Sequence, residues 1–262
     1  MHSLTVFQQN SAIAERLLQQ FQLAGGLAWS APSEALLRAL PGAWAAGGTG
    51  GTQLAANEQV LILFRSTARI PGSLRVEGGL DFLLRQAVVV TCTALETFLW
   101  EVVRGAALTV VRARRRGADD ELRNLTLTLE EYVSLDAAAD PDSRLREILL
   151  ARFDRQVLYD VSSIERVARV LGVKDFWGRV EQGSGTPAAG LRALVGELVA
   201  RRNLITHRAD RANEGEPADG HGLRPITLSW TNMRLQATNT VATAAAEVFA
   251  AALAKLRKES SK

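Results

Sequence analysis

The run ELVARRNLITHRADR, Glu197 to Arg211, concentrates side chains that can move protons and hold negative charge. His207 is one of only three histidines in the chain, and it shares this run with Arg201, Arg202, Arg208 and Arg211. An imidazole titrates near neutral pH and serves as a general base or acid. A guanidinium grips phosphate through paired N–H donors and stabilises charge that develops there. Asn203 adds a carboxamide able to orient the imidazole or a substrate. Together these groups suit work on a polyanion; the other reading is a solvated helix face, and spacing alone leaves both open.

The apolar positions between the arginines follow a helical period, so LRALVGELVARRNLITHR (Leu191 to Arg208) reads as one amphipathic helix. On such a helix Asn203 and His207 lie about 40° apart around the axis. Arg202 lies about 140° from His207, which a long side chain partly spans. One helix edge then offers an imidazole, a carboxamide and a guanidinium to whatever faces it.

Other stretches must hold that edge in place. LDFLLRQAVVVTCTALETFLWEVVRGAALTVVRARRR, from Leu80 to about Arg116, contains no proline and is apolar on most sides, as expected of a helix buried in a bundle. Shorter helices follow at Ser143–Asp154 and Ile164–Val173. GSGTPAAG (Gly183–Gly190) and EGEPADGHGLRP (Glu214–Pro225) read as loops, and a long C-terminal helix runs from Ser229, a candidate N-cap, to Lys258. Upstream, the period of Leu4, Phe7, Ile13, Leu17, Leu18 and Phe21 predicts a helix ended by Gly25-Gly26, and SEALLRAL predicts another. VLILF (Val60–Phe64) fits a strand or a buried helical turn, of which the helical turn is preferred. The expected fold is an all-α bundle of long helices with short ones between, residues 1–75 forming a helical N-terminal extension and 76–262 the main domain.

Composition narrows the chemistry. With 262 residues, 47% of them hydrophobic, the chain can bury a substantial core. The single cysteine, Cys92, lies in an apolar run and excludes a disulfide framework, and with three scattered histidines no transition-metal cluster is expected. No metal or cofactor is therefore assigned. GGTGGT (Gly47–Thr52) is not followed by Gly-Lys-Ser/Thr, so it is no phosphate loop, and no Gly-x-Ser-x-Gly elbow occurs. Net charge is +3 and the isoelectric point near 9.4, a weak bias toward an anionic partner. The first residues lack the pattern of a signal peptide, and the longest apolar stretch, Ala87–Trp100, is too short to span a bilayer. A cytoplasmic protein without membrane contact is expected.

The segment Arg202-Asn203-Leu204-Ile205-Thr206-His207 resembles the defining motif of the HEPN superfamily: Arg, a polar residue, a short spacer, then His. RQAVVVTCTALETFLWEVV (Arg85–Val103) is similar to the glutamate-bearing core helix of its RiboL-PSP branch, and VARVLGVKDFWGRV (Val167–Val180) to that branch's Phe-Trp stretch. The likeness runs roughly from Leu80 to Leu256. It implies a HEPN-like bundle and a metal-independent endoribonuclease, commonly a toxin or defence effector, acting as a homodimer with both motifs facing one cleft. RNA, a second copy, and a cognate antitoxin or defence-system protein are the partners it implies. In that scheme Arg202, Asn203 and His207 are catalytic. RNA supplies its own nucleophile, the 2′-OH, so the protein need only move protons and stabilise charge. One histidine does not readily serve as both base and acid in a turnover, which gives a reason for a two-fold site. The same resemblance admits a non-catalytic module that grips a nucleotide, RNA or protein.

Remaining candidates have structural alternatives. Glu96, in the apolar helix, either anchors Arg202 or Arg85 behind the site or forms an ion pair elsewhere. Arg201 and Arg208 are expected at RNA phosphates. RARRRG (Arg112–Gly117) guides an RNA backbone or only complements a helix C-terminus. Trp100, Phe176 and Trp177 read as core rather than as base-stacking platforms, and His221 as a solvated loop residue.

Overall fold

A computed structural model describes residues 2–29, 53–56, 59–62, 78–113, 126–153, 158 and 160–260. Among them are eight helices: α1 (His2–Trp29), α2 (Asp81–Ala113), α3 (Leu129–Asp136), α4 (Pro141–Phe153), α5 (Val161–Val170), α6 (Phe176–Ser184), α7 (Ala188–Arg208) and α8 (Leu228–Ser260). The architecture is all-α, with one short hairpin of β1 (Gln53–Ala56) and β2 (Gln59–Ile62), in which Gln53 faces Ile62 and Ala56 faces Gln59. The helical turn expected at VLILF is thus a strand as far as Ile62. The apolar run is too short for a helix, and Val60 and Ile62 are β-branched. SEALLRAL, GGTGGT and Arg114–Arg116 lie outside the described residues.

Helix α2 is the central beam. Leu84, Val88, Leu95, Phe98, Leu99, Val102 and Val110 are buried around most of its circumference, as its nearly unbroken apolar sequence predicts. Helix α1 packs along it through Phe7, Ala14 and Leu18, so the N-terminal helix is a wall of the same core. It continues through Gly25-Gly26, which were expected to end it; a helical glycine costs only about 1 kcal/mol relative to alanine. Polar contacts support this docking: Ser11 Oγ donates to Asn239 Oδ1 at 2.7 Å, and Asn239 Nδ2 to Glu15 Oε1 at 3.2 Å.

An aromatic column ties four helices. Phe7 of α1 meets Phe98 of α2 edge-on at 6.0 Å, Phe98 stacks on Phe249 of α8 at 6.3 Å, and Phe249 stacks on Phe176 of α6 at 5.5 Å. Phe176 is buried and Trp177 half-buried against the core, its indole N–H donating to Glu165 Oε1 at 2.8 Å. Helices α2 and α8 are each long and apolar enough to cross a membrane, longer than the stretch singled out in the sequence; 56% and 44% of their apolar windows are buried inside the bundle.

The connections that set α7 are tight. The loop expected from Gly183 shrinks to three residues after α6, where Gly185 adopts a left-handed φ of 66° and its N–H caps Glu181 O. Helix α7 starts after Pro187 and buries Leu191, Val195, Leu198 and Val199. Thr227, rather than Ser229, opens α8, its hydroxyl accepting from the Trp230 N–H at 3.1 Å.

Candidate functional site

The last turns of α7 carry Arg202, Asn203, His207 and Arg208, and the chain then reverses sharply. Ala209 and Asp210 both take left-handed φ values, 49° and 59°, and the Asp210 N–H donates to Leu204 O at 3.0 Å. Each such non-glycine residue costs on the order of 1–2 kcal/mol, so the surroundings must hold it.

A buried ionic cluster holds it. The Asp210 side chain is completely buried, and its Oδ2 accepts from Arg85 Nε at 2.7 Å and from Arg201 Nη2 at 2.8 Å. Arg85, in the first turns of α2, also donates to Arg224 O at 2.9 Å and reaches Asp219 Oδ2 at 3.4 Å. Arg201 donates further to Arg224 O at 2.7 Å and Pro225 O at 3.1 Å, and its guanidinium lies 5.7 Å from the Trp230 ring. Arg224 closes the loop by pairing with Glu216 at 2.6 Å, while its N–H donates to Asp210 O at 2.9 Å. The start of α2, the end of α7 and the 209–227 loop are thereby one charged knot.

This knot takes in Arg201 and leaves out Glu96. Arg201, expected at an RNA phosphate, has only 13% of its side chain exposed and holds Asp210 and the 224–225 carbonyls instead. Glu96 does not anchor Arg85, whose partners are Asp210, Asp219 and Arg224 O. Glu96 is half-buried, and both it and Arg202 act electrostatically on the Cys92 thiol. Burial pushes that thiol up to about 12, opposed by the Arg202 guanidinium and aided to a lesser extent by Glu96. Cys92 should therefore resist iodoacetamide at pH 8 in the folded protein and react fully in denaturant, as intact-mass measurement will show.

The motif residues divide by exposure. His207 and Arg208 are exposed, whereas Arg202 and Asn203 are half-buried. Arg202 Nη1 donates to Asn203 Oδ1 at 3.2 Å, so Asn203 engages the guanidinium beside it. Thr206 Oγ donates to Arg202 O at 2.9 Å, within the same turn. Of the basic run from Arg112 to Gly117, Arg112, in the last turn of α2, pairs with Asp142 of α4. An apolar hollow lined by Val103, Val110, Leu149 and Val167 lies elsewhere, between α2, α4 and α5.

Sequence reading missed Asp210, Asp219 and Arg224. A charged Asp directly after THRA, in a run rich in arginine, was the available signal. Loop electrostatics yield a pH prediction. Burial opposes ionisation of Asp219, but the Leu223 and His221 amides and the Arg85 guanidinium outweigh it and hold the carboxyl below its ordinary 3.8. A depressed folded value means that this group's stabilisation is complete above 3.8 and disappears as pH falls through the folded value. The His221 and Leu223 amides, which donate to Asp219 Oδ1 at 2.8 and 2.9 Å, should lose hydrogen-exchange protection in that acid range, after correction for intrinsic rates.

No protein-family model, curated protein or solved structure matches this chain.

Proposed function

We propose that the chain is a metal-independent endoribonuclease of the HEPN type, cleaving RNA at a site shared by two copies. The observation that supports it best is the division of labour along α7. Arg201 is held inside by Asp210, while its neighbours Arg202 and Asn203 bond to each other and His207 and Arg208 stand exposed one turn further on. In the reaction His207 takes the 2′-OH proton as that oxygen attacks phosphorus. Arg202 holds the non-bridging oxygens as charge builds on them, with Asn203 fixing the guanidinium. The P–O5′ bond breaks, and the partner copy's imidazole protonates the departing oxygen. The products are a 2′,3′-cyclic phosphate and a 5′-hydroxyl. Arg208 contacts a flanking phosphate.

Labelled RNA incubated with purified protein in chelator tests the chemistry. Cleavage that stops when the nucleotide at the cut carries a 2′-deoxy sugar is expected; an unchanged rate with that substrate refutes the 2′-OH mechanism. The biological setting consistent with such an activity is a cytoplasmic toxin or defence effector restrained by a cognate protein. Growth arrest on expression, abolished by His207→Ala, is the expected phenotype.

A second reading is a binding module that grips phosphate without turnover. The single exposed imidazole that one protomer offers beside Arg208 favours it. RNA retained without cleavage, in a dimeric preparation, would decide for it.

A further inference from the structure

Helix α3 buries none of its residues. It leans on α4, where Arg144 Nε donates to Ser134 Oγ at 2.8 Å, and turns a large apolar surface to solvent. Leu129 is 79% exposed, Tyr132 58% and Val133 57%, with Leu127 at 43% just before the helix. Eight residues are too few for a helix to persist in water on propensity alone. A full capping box supports this one: Thr128 Oγ accepts from the Glu131 N–H at 3.1 Å, and Glu131 Oε2 accepts from the Thr128 N–H at 2.8 Å. Among the described residues nothing covers the apolar face of this preformed helix, an arrangement typical of interaction surfaces.

The geometry of that face is specific. Leu129, Tyr132 and Val133 stand at i, i+3 and i+4, within an arc of about 100°. Glu130 borders the arc beside Val133, and Asp136 lies at its C-terminal end, where the helix dipole is also negative. Neither Lys nor Arg occurs between Leu127 and Ser143. Arg144, which reaches Ser134, is itself paired with Glu147, so the charge of this face disfavours two occupants. A phosphate backbone and an anionic bilayer surface would both be repelled by the carboxylates, whereas a cationic protein surface would be drawn to them.

We propose that α3 is a docking helix for a basic amphipathic helix of a partner protein. The partner's apolar face covers Leu129, Tyr132 and Val133, and its Lys or Arg side chains meet Glu130 and Asp136. This inference is independent of the ribonuclease reading, since it uses a different helix and no catalytic group.

A fluorescein-labelled synthetic peptide with Leu at heptad a and d positions and Lys at e and g is the probe, titrated into the full chain and followed by anisotropy. Saturable binding is expected. Tyr132→Ser/Val133→Ser should weaken it roughly tenfold, because two exposed anchors are lost. Glu130→Gln/Asp136→Asn should weaken it at low salt and much less at 1 M, where charges are screened. Helical content and thermal midpoint should stay unchanged, since all four side chains are exposed. A peptide with Glu in place of Lys should not bind. Equal binding by wild type and the Tyr132/Val133 variant overturns the proposal. So does sedimentation in which wild type self-associates through α3 and that variant does not, for then a second copy is the occupant.

Discussion

His207→Ala should reduce RNA cleavage by roughly 10²–10⁴-fold in kcat, the span typical of a lost general acid or base. The fold should be little affected. His207 is exposed in the last turn of α7, where a basic side chain's interaction with the helix dipole is worth about 0.3–1 kcal/mol at most surface sites. A thermal midpoint close to wild type together with lost turnover therefore separates chemistry from stability. Arg202→Ala should cost about 10²–10³ in kcat if the guanidinium acts mainly on charge formed in the transition state. Arg208→Ala should instead raise KM, because a flanking phosphate contact binds ground and transition states alike. Full activity in purified His207→Ala would remove the site from consideration. Mixed dimers add a sharper test. If both imidazoles serve one phosphodiester, a dimer of one wild-type and one His207→Ala chain should be nearly as inactive as the double mutant.

Asp210→Ala is expected to destabilise the protein by about 3–5 kcal/mol, the cost of removing one partner from a buried ionic group. Two guanidiniums, Arg85 and Arg201, would lose their shared carboxylate inside the fold. A typical domain has only about 5–15 kcal/mol of net stability, so the urea midpoint should fall by a large fraction. The left-handed conformations at Ala209 and Asp210 add to the effect, since the contacts that hold them go with the side chain. Replacing the trio together with apolar residues of similar volume (Arg85→Met, Arg201→Met, Asp210→Leu) should recover much of the loss. That recovery distinguishes an uncompensated charge from a cavity. A change below 1 kcal/mol for Asp210→Ala would mean that both arginines reach solvent easily, and the knot would not be what sets the end of α7.

Much of the frame was legible because its cause is local. Helices α2, α7 and α8 announce themselves through period and the absence of proline. Elements whose state depends on distant partners were not legible. Gly25-Gly26 normally stops a helix, yet α1 continues past it while Phe7, Ala14 and Leu18 dock it to the core. VLILF carries no period that separates strand from helix, and pairing with residues 53–56 decides it. Glu96 in an apolar run promised a buried partner, but the helix turns it half outward, which lowers the need for one.

At the candidate site the same boundary falls between neighbouring residues. Residue types alone determined which groups α7 offers: an imidazole four residues after a carboxamide and five after a guanidinium, on one helix of known pitch. They also determined that α2 must be buried, since almost every side of it is apolar. Tertiary structure decided which arginine ties down the Asp210 turn and which bonds to the Asn203 carboxamide beside it. Arg201 and Arg202 are the same residue type about 100° apart on one helix, and only the positions of Asp210, Arg85 and the 224–225 carbonyls draw the first inward. Asp210 is only nine residues on, but the other partners lie 23 to 116 residues away in sequence, beyond any local pattern, whereas the helical period is set within each turn.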